Sequence, residues 1–166
     1  YYPFNGNAND ASGNDNNGTV SGATLTADRN GGTSSAYSFD GVDDYLNFGN
    51  HAEHVSNDYT ISTWFYFEGI NPTTQSVIIS REDDTSNAYI LRVENDANNG
   101  FTDRLVFYVA ASGWQGINTP IQRNTWYHAV IKANSGGSMK LYLNGVEVAS
   151  KPILGFANSS SSNLHV

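Results

Sequence analysis

The chain of 166 residues contains no cysteine, and its eight lysines and arginines face sixteen aspartates and glutamates. Without cysteine, neither a disulfide framework nor a catalytic thiol can be part of this protein. The formal net charge of −8 argues against a nucleic-acid partner, because binding to phosphates needs a basic surface. No stretch approaches the roughly 20 apolar residues of a membrane-spanning helix. We therefore expect no nucleic-acid binding and no membrane insertion.

The chain opens on Tyr1-Tyr2-Pro3, with neither an initiator methionine nor a recognisable signal peptide. We therefore expect a processed protein or a piece of a longer one. An abundance of Asn, Ser, Thr and Gly with few lysines resembles extracellular bacterial domains, so the expected location is extracellular or on the cell surface. The length fits one domain. The sequence predicts a single domain over residues 1–166, belonging to a longer multidomain protein.

Alternation of apolar and polar residues dominates the chain, and helical periodicity is almost absent. The strongest predicted strand is 59–67, in which the odd-numbered residues share one face and the even-numbered residues the other. Further strands are predicted at 75–81, 88–94, 104–110, 125–133, 138–143 and 146–149. Asn144-Gly145 predicts a hairpin, because a type I′ turn needs positive φ at both positions. The fold class is therefore all-β, a two-sheet antiparallel sandwich or jelly roll, with a short helical turn possible only at 49–58.

Residues 38–48 combine apolar strand residues with three carboxylates, those of Asp40, Asp43 and Asp44. Carboxylates beside core strands are costly unless a positive or hydrogen-bonding group meets them. Two interpretations stay open. An oxygen-loving cation, Ca²⁺ first, binds at this corner, or Asp40 and Asp43 accept hydrogen bonds from the amides of their own turn.

Aromatic side chains are the main candidates for a binding surface, because sugars stack their apolar faces on aromatic rings. Trp114 stands near glycines in a predicted loop, either as a sugar platform or as a packing staple. Trp64 and Tyr66 either line a groove or pack under a loop. The residues expected beside them in such a groove are Arg92, Arg104 and Tyr108. The candidate ligand-binding set is Trp114, Trp64, Tyr66, Arg104 and Tyr108.

Other aromatic and histidine residues have simpler interpretations. Trp126 and His128 begin a predicted strand and are expected to pack in the core and at a strand edge. His51 and His54 form a close pair, but nothing nearby completes a tetrahedral metal site.

The acidic residues do not form a glycosidase pattern. A retaining jelly-roll glycosidase needs two carboxylates about 5–5.5 Å apart on one strand, and the five glutamates, at positions 53, 68, 82, 94 and 147, never alternate in that way. No Gly-x-Ser-x-Gly elbow is present either. The sequence therefore predicts that the protein is not an enzyme.

Four segments in order resemble the laminin-G-like, concanavalin A-like jelly-roll superfamily in its bacterial extracellular form. These segments are residues 2–14, residues 36–45, residues 59–64, and the pair 124–128 and 140–146. The resemblance covers nearly the whole chain. It departs at both ends, since the family's opening strand starts earlier and a closing segment follows a strand like 164–166. We therefore expect either a fragment or a sandwich completed by a strand from another chain.

The resemblance implies a structural Ca²⁺ ion held by loop carbonyls and by side chains of residues 9–16 and of the Asp40-Gly41 turn. The candidate ligands are Asp10, Asn16, Asp40 and Asp43, with Asp44 in reserve. The expected function is that of a non-catalytic, extracellular, glycan-binding or adhesive module. Its expected partners are a glycan or cell-surface polysaccharide, and other domains of the same chain or neighbouring subunits. At a net charge of −8, neutral glycans are favoured.

Two alternatives remain open. The module could be a structural or assembly element of a bacterial surface fibre or adhesin without a sugar ligand, or an accessory domain of a polysaccharide-degrading enzyme.

Overall fold

The computed structural model describes residues 1–51, 58–69, 75–82, 87–96, 101–111, 113–134, 136–153 and 162–166. All regular secondary structure in these residues is β-strand, which confirms the predicted fold class. The strands are β1 Thr19–Ser21, β2 Thr24–Thr26, β3 Ala36–Ser38, β4 Tyr45–Asn47, β5 Asp58–Phe67, β6 Gln75–Glu82, β7 Asn87–Asp96, β8 Phe101–Ala111, β9 Gly113–Pro120, β10 Thr125–Asn134, β11 Ser138–Leu143 and β12 Val146–Pro152. Most of the possible helical turn at 49–58 lies outside the described residues. Nor do these residues contain a helix that is long and apolar enough to cross a membrane.

The strands form two antiparallel sheets. One, which we call the small sheet, has the order β12-β11-β10-β5. The other, the large sheet, contains β6-β7-β8-β9 and the pair β1-β4. Strands β2 and β3 form a separate hairpin. The predicted β11–β12 hairpin is confirmed, since Asn144 and Gly145 adopt φ of 50° and 83°.

Residues 162–166 join the two parts of the large sheet. The amide of His165 donates to the carbonyl of Ser80 over 2.9 Å, and the amide of Ser80 donates back over 2.9 Å. On the other side, Leu46 and Val166 exchange two backbone hydrogen bonds of 2.7 and 3.0 Å. The segment therefore lies inside the sheet and bridges β4 and β6.

The main core lies between the two sheets and follows from strand alternation. In β10, alternate residues from Tyr127 to Ala133 are buried while their neighbours are more exposed. Leu91, Leu105 and Leu141 are fully buried in this cluster, and each such side chain contributes about 1.5–3 kcal/mol through removal from water. A second, smaller cluster contains Ala8, Ala23, Leu46 and Phe48, with Leu164 and Val166 packed against both. Because the side chains on one side of each strand pack in the core, those on the other side form the outer surface of the sheet.

Candidate ligand-binding site

The outer side of β7, β8 and β9 carries a compact group of polar and aromatic side chains. Tyr89, Leu91 and Val93 belong to the main core, so the intervening residues of β7 lie on the outer side. The register places Glu94 opposite Arg104, Ile90 opposite Tyr108, and Tyr108 opposite Gly116. The group, which we call the β7–β9 platform, consists of Ile90, Arg92, Glu94, Arg104, Tyr108 and Trp114.

Glu94 is the centre of the polar part of this platform. Its Oε1 accepts from Arg92 Nε over 2.9 Å, from Arg92 Nη2 over 2.6 Å and from the Tyr108 hydroxyl over 3.1 Å. Its Oε2 accepts from Arg104 Nη2 over 2.9 Å. Burial opposes ionisation of Glu94, but the hydrogen bonds from Arg92 and Arg104 outweigh it and hold the pKa of Glu94 below its ordinary value. The carboxylate thus fixes two guanidinium groups in place.

Burial and the adjacent Glu94 charge raise the pKa of Tyr108 above its ordinary value, so its hydroxyl stays protonated and donates. The Arg92 guanidinium carbon lies 4.9 Å from the centroid of the Tyr108 ring, a cation–π contact. Trp114 meets Tyr108 edge to face, with centroids 6.2 Å apart and an interplanar angle of 80°. Tyr108 is therefore held from several sides.

An open hollow of about 250 Å³ lies among Ile90, Arg92, Tyr108 and Trp114. Ile90 gives the hollow an apolar lining and is only 4% exposed, although it does not belong to the main core between the sheets. Trp114 is 44% exposed, leaving part of its indole open to a ligand. Apolar surface with a few fixed polar groups is the composition of sites for small ligands, and aromatic rings beside hydrogen-bond donors suit sugars in particular.

Of the predicted ligand-binding residues, the structure brings together Trp114, Arg104 and Tyr108, along with Arg92. Trp114 belongs to strand β9, not to a loop. The roles of Glu94 and Ile90 were not predicted. Alternation alone could have indicated that Glu94 contacts Arg92, because it places both side chains on one face of β7.

Trp64 and Tyr66 lie elsewhere, which corrects the expectation that they stand beside Arg92, Arg104 or Tyr108. Both belong to β5, which pairs with β10 in the small sheet. Their side chains lie on the outer side of that sheet and are 44% and 42% exposed. The residues predicted to line one groove thus lie on two different sheets.

Trp126 and His128 share the outer side of β10, so the expectation that they pack in the core is wrong. Tyr127 and Ala129 take the inner side instead. The cross-strand partner of Trp126 is Tyr66 and that of His128 is Trp64. The His128 and Trp64 rings stack with centroids 4.9 Å apart.

The candidate metal ligands fall into two loops. The carboxylate of Asp10 accepts from the amide and the hydroxyl of Ser12 over 2.8 Å each, and from the amide of Asn16 over 3.3 Å. The hydrogen bond from the Ser12 amide, followed by that from the Ser12 hydroxyl, lowers the pKa of Asp10. Asn16 is buried, and its carbonyl accepts from the Tyr2 hydroxyl over 2.7 Å. In these contacts Asp10 organises its own loop.

Carboxylate oxygens of Asp40, Asp43 and Asp44 lie within 4.8 Å of one another. Asp40 Oδ1 also accepts from the amide of Val42 over 2.8 Å, and Asp44 Oδ2 accepts from the amide of Asp40 over 2.9 Å. Three such oxygens fit Ca²⁺ in donor type, and two of these side chains also support their turn. Within the described part of the chain, the acidic group does not include Asp10.

Comparison with known proteins gives a family and several solved structures. The Laminin_G_3 model, described as the concanavalin A-like lectin/glucanases superfamily, matches residues 40–166. Domain 4 of AbnA, a GH43 extracellular arabinanase from Geobacillus stearothermophilus, was solved in complex with arabinotriose. It is 18% identical with a TM-score of 0.75, over 100% of this chain and 80% of that domain. No curated protein sequence matches.

Two toxin domains are also similar. The binding domain of Paraclostridial Mosquitocidal Protein 1 is 19% identical with a TM-score of 0.70, over 94% of this chain and 40% of that one. The receptor-binding domain of botulinum neurotoxin C/D mosaic serotype is 14% identical with a TM-score of 0.71, over 95% and 39%. The chain thus spans about two fifths of the toxin domains. At these identities the likeness concerns the fold.

Proposed function

Because this chain belongs to the concanavalin A-like lectin/glucanases superfamily, we propose that it is a non-catalytic module that binds a neutral glycan at the β7–β9 platform. The observation that carries the proposal is the hollow formed by Ile90, Arg92, Tyr108 and Trp114. A sugar ring would contact the exposed indole of Trp114, while Arg92 would donate hydrogen bonds to its hydroxyl groups.

The arabinanase domain supports a glycan as the ligand, since that domain was solved with arabinotriose. The match covers most of the domain, and this favours an accessory domain of a polysaccharide-degrading enzyme as one possible setting. Other domains of such an enzyme would then be natural partners. Adhesion to a cell-surface polysaccharide would use the same contacts with sugar rings and hydroxyl groups. The extracellular location proposed for the module suits both an accessory domain and an adhesive module.

The polar contacts of Glu94 support a non-catalytic role. A glycosidase needs two carboxyl groups across the scissile bond, one of them free to give or take a proton. Glu94 is the single carboxylate among the six residues of the platform, and its oxygens accept from Arg92, Arg104 and Tyr108. Its depressed pKa suits an ion-pair partner better than a proton donor.

Calorimetric titration with arabino-oligosaccharides, guided by a glycan array, tests the proposed site. Trp114→Ala is expected to weaken binding about tenfold through loss of the aromatic contact. Trp64→Ala is the matched control, because it removes an equally exposed indole from the other sheet. Unchanged affinity in Trp114→Ala would overturn the proposed site. Failure of the wild-type protein to bind any glycan would favour the structural or assembly module instead.

We further propose that the module holds a structural Ca²⁺ ion at Asp40, Asp43 and Asp44. Thermal unfolding with Ca²⁺ against EDTA tests this, since a ligand that binds only the folded state raises Tm. Asp43→Asn should reduce the Ca²⁺-dependent rise, because it replaces a carboxylate ligand with a neutral amide oxygen and removes none of the turn hydrogen bonds made by Asp40 and Asp44. Glu68→Gln, an equal charge change at the end of β5, should keep it. A Tm that is identical with Ca²⁺ and EDTA would contradict this proposal.

A further inference from the structure

The hollow of the β7–β9 platform has an uneven supply of hydrogen-bonding groups. Its lining consists of Ile90, Arg92, Tyr108 and Trp114. The side chains of Arg92 and Trp114 carry only donors, that of Ile90 carries neither donor nor acceptor, and that of Tyr108 carries a hydroxyl. A polar group of a ligand that enters the hollow therefore meets mainly N–H donors.

Glu94 adjoins the hollow but has little acceptor capacity left for a ligand. An ionised carboxylate has about four lone-pair sites. The carboxylate of Glu94 already accepts four hydrogen bonds, two from Arg92 and one each from Tyr108 and Arg104. Its side chain is only 14% exposed. Of the four lining side chains, only that of Tyr108 can accept, because its hydroxyl oxygen keeps a lone pair after donating to Glu94.

The donors of the hollow, in contrast, have unused capacity. An arginine side chain has five N–H donors, and Arg92 uses those on Nε and Nη2 for Glu94. Among the described residues, neither Arg92 Nη1 nor Trp114 Nε1 donates to a partner. The ion pair of 2.6 Å with Glu94 compensates the charge of Arg92. The hollow thus offers N–H groups to a ligand without relying on a net positive charge.

Apolar surface lies directly beside these donors. Ile90 precedes Arg92 by two residues in β7, so both side chains lie on the same side of the strand. The indole of Trp114 is 44% exposed. The volume of about 250 Å³ lies below the roughly 300–1,000 Å³ of sites for drug-sized ligands. The hollow therefore suits one sugar unit with its substituent better than an oligosaccharide.

We propose, on the basis of the glycan site proposed above, that the ligand of the β7–β9 platform is an acetylated glycan. The acetyl methyl group would contact Ile90 and Trp114, and the acetyl carbonyl would accept hydrogen bonds from Arg92. An acetyl group is neutral and combines an oxygen that only accepts with a small apolar group. Both parts match the groups that line the hollow.

Two other sugar substituents match the hollow less well. A hydroxyl group could also accept from Arg92, but its own O–H would compete for the single acceptor on Tyr108, and an unpaired polar group weakens binding. A carboxylate only accepts, but it would lose hydration against the apolar side chain of Ile90. Because Glu94 already compensates the charge of Arg92, little attraction would offset that loss.

Titration calorimetry of the intact chain compares ligands that differ only in acetylation. The pairs are N-acetylated chitotetraose with cellotetraose, and acetylated xylan with the same xylan after alkaline deacetylation. The acetylated member of at least one pair should bind about tenfold more tightly. Ile90→Thr should bring this ratio close to one, because it places a hydroxyl group in the apolar lining. Val148→Thr, a comparable change on β12 of the small sheet, is the control and should keep the ratio.

Saturation-transfer difference NMR of the wild-type protein gives a second measurement that depends on no variant. The acetyl methyl protons should receive more saturation than the protons of the sugar ring, because the methyl group would lie against Ile90 and Trp114. Weaker saturation of the methyl group than of the ring would overturn the proposal.

Three results of the titrations would also overturn the acetyl preference. These are equal affinities within both pairs, tighter binding of oligogalacturonate than of the acetylated ligands, and a loss of preference in Val148→Thr as large as in Ile90→Thr. Binding of unacetylated arabino-oligosaccharides alone would overturn it too, yet leave the glycan site of the platform intact. Absence of binding to every glycan would instead remove the proposed function itself, and the acetyl preference with it.

Discussion

Tyr108 of β8 lies directly opposite Gly116 of β9, and its ring occupies the space that a β-carbon on Gly116 would need. Such a carbon would stand 2.6 Å from the Cδ1 and Cε1 atoms of the ring. The absent side chain at position 116 thus allows Tyr108 to lie against the backbone, between Arg92 and Trp114.

Gly116→Ala should displace the Tyr108 ring and weaken neutral-glycan binding about tenfold, because Tyr108 forms one wall of the hollow. Titration calorimetry and thermal unfolding measure the two effects. Gly32→Ala is the control, since the nearest atoms to a β-carbon there would be those of the Asp28 carboxylate, at 3.3 Å and beyond. Full affinity in Gly116→Ala would show that the position of the ring does not matter for binding.

Glu94→Gln should destabilise the protein by about 1 kcal/mol, because it removes a charge that accepts from Arg92, Arg104 and Tyr108 at a partly exposed position. It should also weaken glycan binding, since Arg92 would lose its orientation. Urea unfolding monitored by tryptophan fluorescence gives the free energy. Glu147→Gln, the comparison variant, removes the charge that accepts from only two residues, Lys140 and Tyr142, at an exposed site. A larger stability loss in Glu147→Gln than in Glu94→Gln would contradict the central role of Glu94.

Acidification should destabilise the fold through His165. Burial lowers the pKa of His165 in the folded state, so the unfolded chain, with a pKa of about 6.5, binds the proton more tightly. Stability contributed by the neutral ring is present above about pH 6.5 and declines as the pH falls through the lower folded pKa. Tm should therefore drop between about pH 8 and about pH 5.5, and His165→Gln should reduce this drop. The same variant should show no altered dependence above pH 8, where histidine does not titrate. An equal drop in both proteins would exclude His165 as the cause.

Leu91→Ala should cost about 2–5 kcal/mol in the free energy of unfolding, because Leu91 is fully buried at the centre of the main core. Val77→Ala, at a position of β6 that is 48% exposed, should change stability by less than about 0.5 kcal/mol. Chemical denaturation of both variants checks the difference. Similar small losses for both would mean that the two sheets do not pack as described.

The strand pattern was predictable because alternation determines which residues share a face. In β5, the odd-numbered residues from Tyr59 to Phe67 are more buried than the even-numbered ones, as the sequence indicates. The Asn144-Gly145 hairpin was likewise predictable from local backbone preference.

Alternation does not determine which face meets the core, nor which sheet a strand joins. The sequence predicts core and edge packing for Trp126 and His128 at the start of a strand, but Tyr127 takes the inner side of β10. The sequence interpretation places Tyr108 beside Trp64 in one groove, yet β5 and β8 belong to different sheets. The role of Glu94 depends on the register of β7 with β8, which follows from long-range pairing.

The position of His165 between Asn47 and Ser80 has a consequence for how the protein folds. The pairings of this segment connect residues separated by much of the sequence, so they raise the contact order and require a large loop to close before they form. During synthesis, β4 and β6 leave the ribosome well before the segment that joins them. Until it arrives, both strands present unpaired edges, and this joint is where premature association of nascent chains would begin.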